Sequence, residues 1–240
     1  MSEVEIRALN ASPETIAMLS EILVETVANG GSVSFMHPLA PGSARAFWAN
    51  ALAAAERGER VVVGAYDGAV LVGAVSLLLD RPPNQPHRAE IAKMMTRVSH
   101  RGRGVATALL HAAEALAVAR GRTLLTLDTA TEEGASVLYE RLGFTFAGEI
   151  PDYALKPHGG LTGTRLYWKR IGGAAVAAGA ALALSQHWLA VGELTPLLFL
   201  LPCAVMMFMC MKGMKHGQQT AGAPAPTNAD KPTGTDAVLG

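Results

Sequence analysis

The chain has 240 residues, half of them hydrophobic, with 20 basic and 20 acidic side chains and no formal net charge. That length suits one domain of ordinary size plus a further segment, and a mean hydropathy of +0.25 directs the search for that segment to the membrane. Residues 171–240 contain only Lys212, Lys215, Lys231, Glu193, Asp230 and Asp236 as charges, so residues 1–170 carry 17 of each sign and lack the net field that draws in a polyanion, which argues against nucleic acid as a partner.

The N-terminal "MSEVEIRALN" is polar and acidic, without the basic start and apolar core of a secretory signal; the first domain is therefore expected in the cytoplasm. Within it "VEIRAL" reads as a strand. A helix follows, with Ser12 as N-cap, Pro13 at its first position and Gly30 as its stop. "GGSVSFMHPLAPG" is a loop too apolar to be merely solvated, and "SARAFWANALAAAERGE" is a second helix. "RVVVGAY" and "VLVGAVSLLL" flank Asp67-Gly68, a tight-turn signal for a hairpin. "RAEIAKMMTRV" is a further strand and "GVATALLHAAEALA" a helix. "TLLTLDT" then forms a buried strand, "EEGASVLYERLGF" a helix and "TRLYWKR" a last strand. Alternation of this kind predicts a mixed α/β domain with one central sheet over residues 1–170.

The junction between "MMTRVSH" and that third helix carries the most chemical information. Arg101, Gly102, Arg103, Gly104, Val105 and Ala106 follow a strand and open a helix whose apolar residues Val105, Leu109, Leu110, Ala113, Leu116 and Ala117 lie on one face. The first N–H groups of such a helix lack internal partners, the dipole adds positive charge, and glycine lets a ligand approach the backbone. A phosphate is the natural occupant. The sequence has neither the Gly-Lys-Ser/Thr ending of a mononucleotide loop nor the Gly-x-Gly-x-x-Gly dinucleotide fingerprint. Arg-x-x-Gly-x-Ala in this position instead resembles the acetyl-CoA pyrophosphate loop of the GNAT acetyltransferase superfamily. "ASVLYERLGF", Ala135 to Phe144, is similar to that family's late helix and Leu-Gly-Phe turn, and the likeness covers about residues 3–170. "GGSVSF", "RAEIAKMM", "LTLDT" and the closing "IPDYALKPHGGLTGTRLYWK" resemble the branch of the tabtoxin-resistance acetyltransferase.

The resemblance implies a GNAT-like mixed central sheet flanked by helices and an N-acetyltransferase that uses acetyl-CoA as donor, needs no metal and acetylates a small-molecule amine. Arg101 to Ala106 would hold the pyrophosphate, and backbone N–H groups near Met95 and Thr96 the thioester oxygen. Glu90 is a candidate base, or else an outward carboxylate paired with Arg88 or Lys93. Asp128 either binds the amine and assists the base, or caps the following turn. Tyr139 is the candidate proton donor to the departing thiolate, with side-chain packing as its other reading. "SVSFMHPL", Ser32 to Leu39, with Phe35 foremost, and Trp48 are expected to line the acceptor pocket, with the Gly159-Gly160 turn near the same cleft.

From Ile171 the chain is apolar and almost uncharged. Ile171–Leu184 is 14 residues long, about 21 Å as a helix and short of a hydrocarbon core of about 30 Å, which it just spans if extended to Val191. Leu194–Met211 is 18 residues, about 27 Å as a helix. Lys169 and Arg170 precede the pair, Lys212 and Lys215 follow it, and the loop between has no base. These features predict a transmembrane helical hairpin over 171–213 with both ends cytoplasmic. Cys203, Met206, Met207, Cys210 and Met214 share one helical face, either as adaptable packing or as soft ligands for Cu(I). The segment also looks like a small two-helix membrane family with Met and His near its end. Residues 214–240, rich in Ala, Pro, Gly and Thr, are expected to be disordered.

Overall fold

The computed structural model describes residues 4–132 and 134–172. The chain divides into two units, residues 1–190 and 191–240, and every described residue lies in the first. The expected hairpin and tail fall, beyond Gly172, outside the described residues. No helix among the described residues is long and apolar enough to cross a membrane.

Seven strands form one sheet in the order β1-β2-β3-β4-β5-β7-β6. In chain order the elements are β1 Glu5–Ala8, α1 Pro13–Ala28, α2 Pro41–Glu56, β2 Arg60–Asp67, β3 Val70–Leu78, β4 Arg88–Thr96, α3 Val105–Ala119, β5 Leu124–Ala130, α4 Ser136–Arg141, β6 Thr145–Leu155 and β7 Leu161–Arg170. Only β4 and β5 run parallel; every other neighbouring pair is antiparallel. The local signals explain the helix and hairpin ends. Ser12 accepts from the Thr15 backbone N–H at 3.1 Å, capping α1, and Pro13 needs no amide partner at that position. Gly68, with φ +60°, takes the turn between β2 and β3.

β2 and β3 are buried along nearly their whole length, because helices cover both faces. One core joins α3 to Val61, Val63, Val75, Leu77 and Ile91. The other joins α1 and α2 to Val62, Leu71, Ala74 and Met95. Sheet and helices thus make three layers around a mixed sheet, as expected.

β6 is the element that the residue pattern does not announce. Its 11 residues are almost all exposed, include Pro151, and pair with β7 through two register shifts. An edge strand tolerates proline and irregular pairing, since one of its sides has no ladder to maintain.

Candidate functional site: a cleft where two strands part

Strands β4 and β5 pair only over Arg88–Glu90 and Leu124–Thr126. Beyond that point β4 continues against β3 and β5 against β7. The sheet opens into a cleft of about 260 Å³, bounded by Ile91–Thr96 on one side and by Asp128 and Thr129 on the other. Backbone groups on the β5-facing edge of β4 have no strand to bond past Glu90, so a ligand inserted there meets main-chain donors and acceptors.

A bulge in β4 shapes this wall. Its register against β3 shifts between Ala74 and Ser76, and Lys93 opposite the shift takes φ +51°. Ile91 belongs to the core beneath α3 and Met95 to the core beneath α1 and α2. Four residues apart on an unbroken strand they would share one face, so the bulge inverts the phase between them.

The loop after β4 closes one end. A short 3-10 turn, Val98–His100, leads to Arg101 and Ala106, which line the cleft. Gly102 and Gly104 have φ of +74° and +83°, and Gly104 is the N-cap of α3 without any side-chain cap bond. A Cβ added at either would meet nothing within 4 Å. Open space beside a helix N-terminus, left-handed glycines and two flanking arginines are an arrangement suited to an anion. Gly73 lets that terminus sit close to the sheet, since a Cβ there would lie 2.7 Å from Val105 Cγ1.

Of the expected catalytic residues, the structure brings two to the cleft. Tyr139 lines it from α4, 5% exposed, with its ring 5.9 Å from Phe144 and 6.0 Å from Tyr167 between centroids. Asp128 lines it from β5 and accepts from the Thr164 hydroxyl at 3.2 Å. Met95 and Thr96 line it from β4.

Glu90 sits as the paired carboxylate of its other reading. It does not line the cleft, and its carboxylate lies 2.7 Å from Arg81 Nη1 and 3.7 Å from Arg88 Nη1. Ahead of the bulge its side chain lies where β4 and β5 are still joined, among arginines. Glu90→Gln is therefore expected to leave kcat unchanged while lowering unfolding free energy by about 1–2 kcal/mol, since Arg81 is only 14% exposed. Urea unfolding of wild type and variant checks this.

Trp48 is a correction. It is fully buried in the α1–α2 core, in one cluster with Val33 and Met95, and is not itself among the residues lining the cleft. Phe35 packs edge-on to Phe47, 5.1 Å between centroids, beside the cleft-lining Ser34. The Gly159-Gly160 turn does meet the loop before α2: His37 N–H donates to Pro157 O at 2.8 Å, and the His37 and His158 rings lie 4.5 Å apart.

The residue that the pattern missed at the cleft is Lys93, and its partner Ser34 belongs to the stretch expected there. Lys93 Nζ donates to Ser34 Oγ at 2.9 Å and lies 5.9 and 5.8 Å from the Phe35 and Phe47 ring centroids. Burial pushes its amine below the usual lysine range, against the opposing pull of Asp128 and Glu90. A lysine inside an apolar strand is the available signal, but the bulge that turns it into the cleft leaves no trace in the spacing.

Residues 30–144 match the Acetyltransferase (GNAT) family, and residues 174–223 match a family described as a protein of unknown function (DUF2933). Among solved structures, an N-acetyltransferase from Staphylococcus aureus Mu50 superposes with a TM-score of 0.61 at 20% identity, covering 71% of this chain and 100% of its own. The yncA protein of Salmonella typhimurium, solved with its cofactor acetyl-CoA, gives 0.58 at 18%, covering 71% and 96%. Ribosomal-protein-alanine N-acetyltransferase from Brucella melitensis gives 0.59 at 23%, covering 69% and 99%. These identities speak for the fold, and the family match speaks for the stretch from the loop before α2 to the turn after α4. Residues 30–144 are thus similar to the GNAT acetyltransferase family, on a fold that these acetyltransferase structures share.

Proposed function

We propose that this protein is a membrane-tethered N-acetyltransferase that moves an acetyl group from acetyl-CoA to the amino group of a small molecule. The observation that carries the reading is the parting of β4 and β5, which gathers the glycine loop of α3, Asp128 and Tyr139 around one cleft. The donor fits this site: Arg101, Arg103 and the backbone of Gly102 to Ala106 suit its pyrophosphate, and the open β4 edge near Met95 and Thr96 suits its amide-bearing arm. Acetyl-CoA supplies an acyl carbon, held as a thioester, that a neutral amine can attack. Asp128 draws the amine in and takes up its proton directly or through solvent, while Tyr139 gives one to the departing sulfur. A C–N bond forms, a C–S bond breaks, and free thiol and amide result.

The tether rests on residues 171–211, which follow β7 directly and are bracketed by Lys169, Arg170, Lys212 and Lys215. The domain would then work at the cytoplasmic face. The stretches similar to the tabtoxin-resistance branch point the same way, towards a small amine.

Gly104→Ala is expected to raise the Kd for acetyl-CoA about tenfold. A left-handed backbone costs a non-glycine residue about 1–2 kcal/mol, and relief of that strain moves the N–H groups of the cradle. Calorimetric titration of the full chain in detergent measures it.

A second reading, a non-catalytic acyl-CoA sensor joined to a metal-handling hairpin, is favoured by one observation. Arg81 and Arg88 occupy Glu90, which withholds the carboxylate of β4 from the cleft. Titrating acetyl-CoA and following thiol release across a panel of small amines separates the two. Binding with turnover supports the enzyme; binding without turnover supports the sensor; no binding sinks both.

A further inference from the structure

Lys93 is a charge that the proposed chemistry does not use. It lines the cleft between Ala92 and Met94, and no carboxylate among the described residues lies within ion-pair distance of its Nζ. Glu90 is held by Arg81 and Arg88, and Asp128 acts on the amine only through space. Partly buried cations are ordinarily paired, because desolvation is otherwise uncompensated.

The backbone around Lys93 is also unusual. Three non-glycine residues among the described ones have left-handed φ, namely Ser34 at +70°, Lys93 at +51° and Asp152 at +51°. Two of the three meet each other, through the 2.9 Å bond from Lys93 Nζ to Ser34 Oγ. Strain of this kind, at about 1–2 kcal/mol per residue, concentrates where a side chain must be aimed. Here it aims an ammonium and a hydroxyl at one corner of the cleft, walled by Phe35 and Phe47. Both groups can donate to the same acceptor. Asp128 lines the same cleft from the other strand, so cation and anion stand on its two walls.

We infer that the acceptor is a zwitterionic amine, an amino acid or its close analogue, whose carboxylate is seated on Lys93 and Ser34 while its amino group turns towards Asp128. The inference rests on the acetyltransferase reading and names the acceptor's class. A bare aliphatic amine or a polyamine would leave Lys93 facing a second cation. An amino acid gives each wall its complement.

The test compares acids with their neutral isosteres. Full-length protein is assayed by thiol release with each protein amino acid and with the matching amino acid amide, and acetyl-CoA binding is titrated separately. The wild type is expected to prefer the best acid over its amide by about 10- to 100-fold in kcat/KM, the range of a charge-assisted bond. Lys93→Met should erase that preference without changing the Kd for acetyl-CoA, and Lys93→Arg should retain much of it. A purely structural role for Lys93 would move acid and amide together. The inference is overturned if the amide serves as well as the acid in the wild type, or if Lys93→Met leaves the ratio intact. Binding of acetyl-CoA with no acid turned over also overturns it while leaving acyl-CoA binding in place. Failure to bind acetyl-CoA removes the acetyltransferase reading itself.

Discussion

Tyr139→Phe is expected to lower kcat by about 100-fold or more while leaving the Kd for acetyl-CoA unchanged. General-acid catalysis contributes about 10²- to 10⁴-fold where a positioned group supplies the proton. A phenol, ordinarily titrating near pH 10, stays protonated at neutral pH and can give its proton to a thiolate whose ordinary pKa is about 8.5. The substitution removes one oxygen and keeps the ring. Packing against Phe144 and Tyr167, at 5.9 and 6.0 Å between centroids, is therefore preserved, and with it the turn after α4. The measurement pairs steady-state thiol release with calorimetry on the same preparations. A loss of kcat with intact binding places the hydroxyl in the chemical step. Wild-type kcat in the variant would make Tyr139 a packing residue and return the proton to solvent.

The positions of Tyr139 and Glu90 were not equally legible in the sequence, and the difference is physical. Tyr139 belongs to a helix and a Leu-Gly-Phe turn, so its surroundings are set by neighbours a few residues away. Glu90 and Lys93 lie on a strand whose facing depends on an inserted residue. Period-two alternation places Ile91, Lys93 and Met95 on one face, yet Ile91 and Met95 occupy opposite cores. The bulge changes phase between them, and nothing in "RAEIAKMMT" fixes where it falls. The same limit explains β6, where Pro151 and an exposed surface conceal an edge strand. Where punctuation is local, as at Ser12-Pro13, Asp67-Gly68 and the glycines before α3, the sequence and the structure agree. The cleft itself needs β4 and β5 to separate after three paired residues each, and that event belongs to the whole sheet.

Trp48 shows the corresponding limit for a helix, and Trp48→Ala is expected to cost about 3–5 kcal/mol of unfolding free energy. An aromatic residue beside an apolar loop suggests a ligand pocket, but its helical position decides otherwise. Trp48 is 0% exposed and packs in one cluster with Leu19, Ile22, Leu23 and Leu52, its ring 5.0 Å from that of Phe47. Removing the indole leaves a cavity between α1 and α2 that neither helix can collapse into without losing contacts to the sheet. Trp48→Phe fills most of that space and should cost less. Urea unfolding in detergent, followed by far-ultraviolet circular dichroism, measures both without depending on indole fluorescence. If Trp48 acted on the acceptor, Trp48→Phe would raise the acceptor KM at wild-type stability, and its assignment to the core would fail. If it acts through packing, KM stays at the wild-type value in Trp48→Phe. In Trp48→Ala activity then declines with the folded fraction, because α1 and α2 carry the loop that presents Ser34 to Lys93.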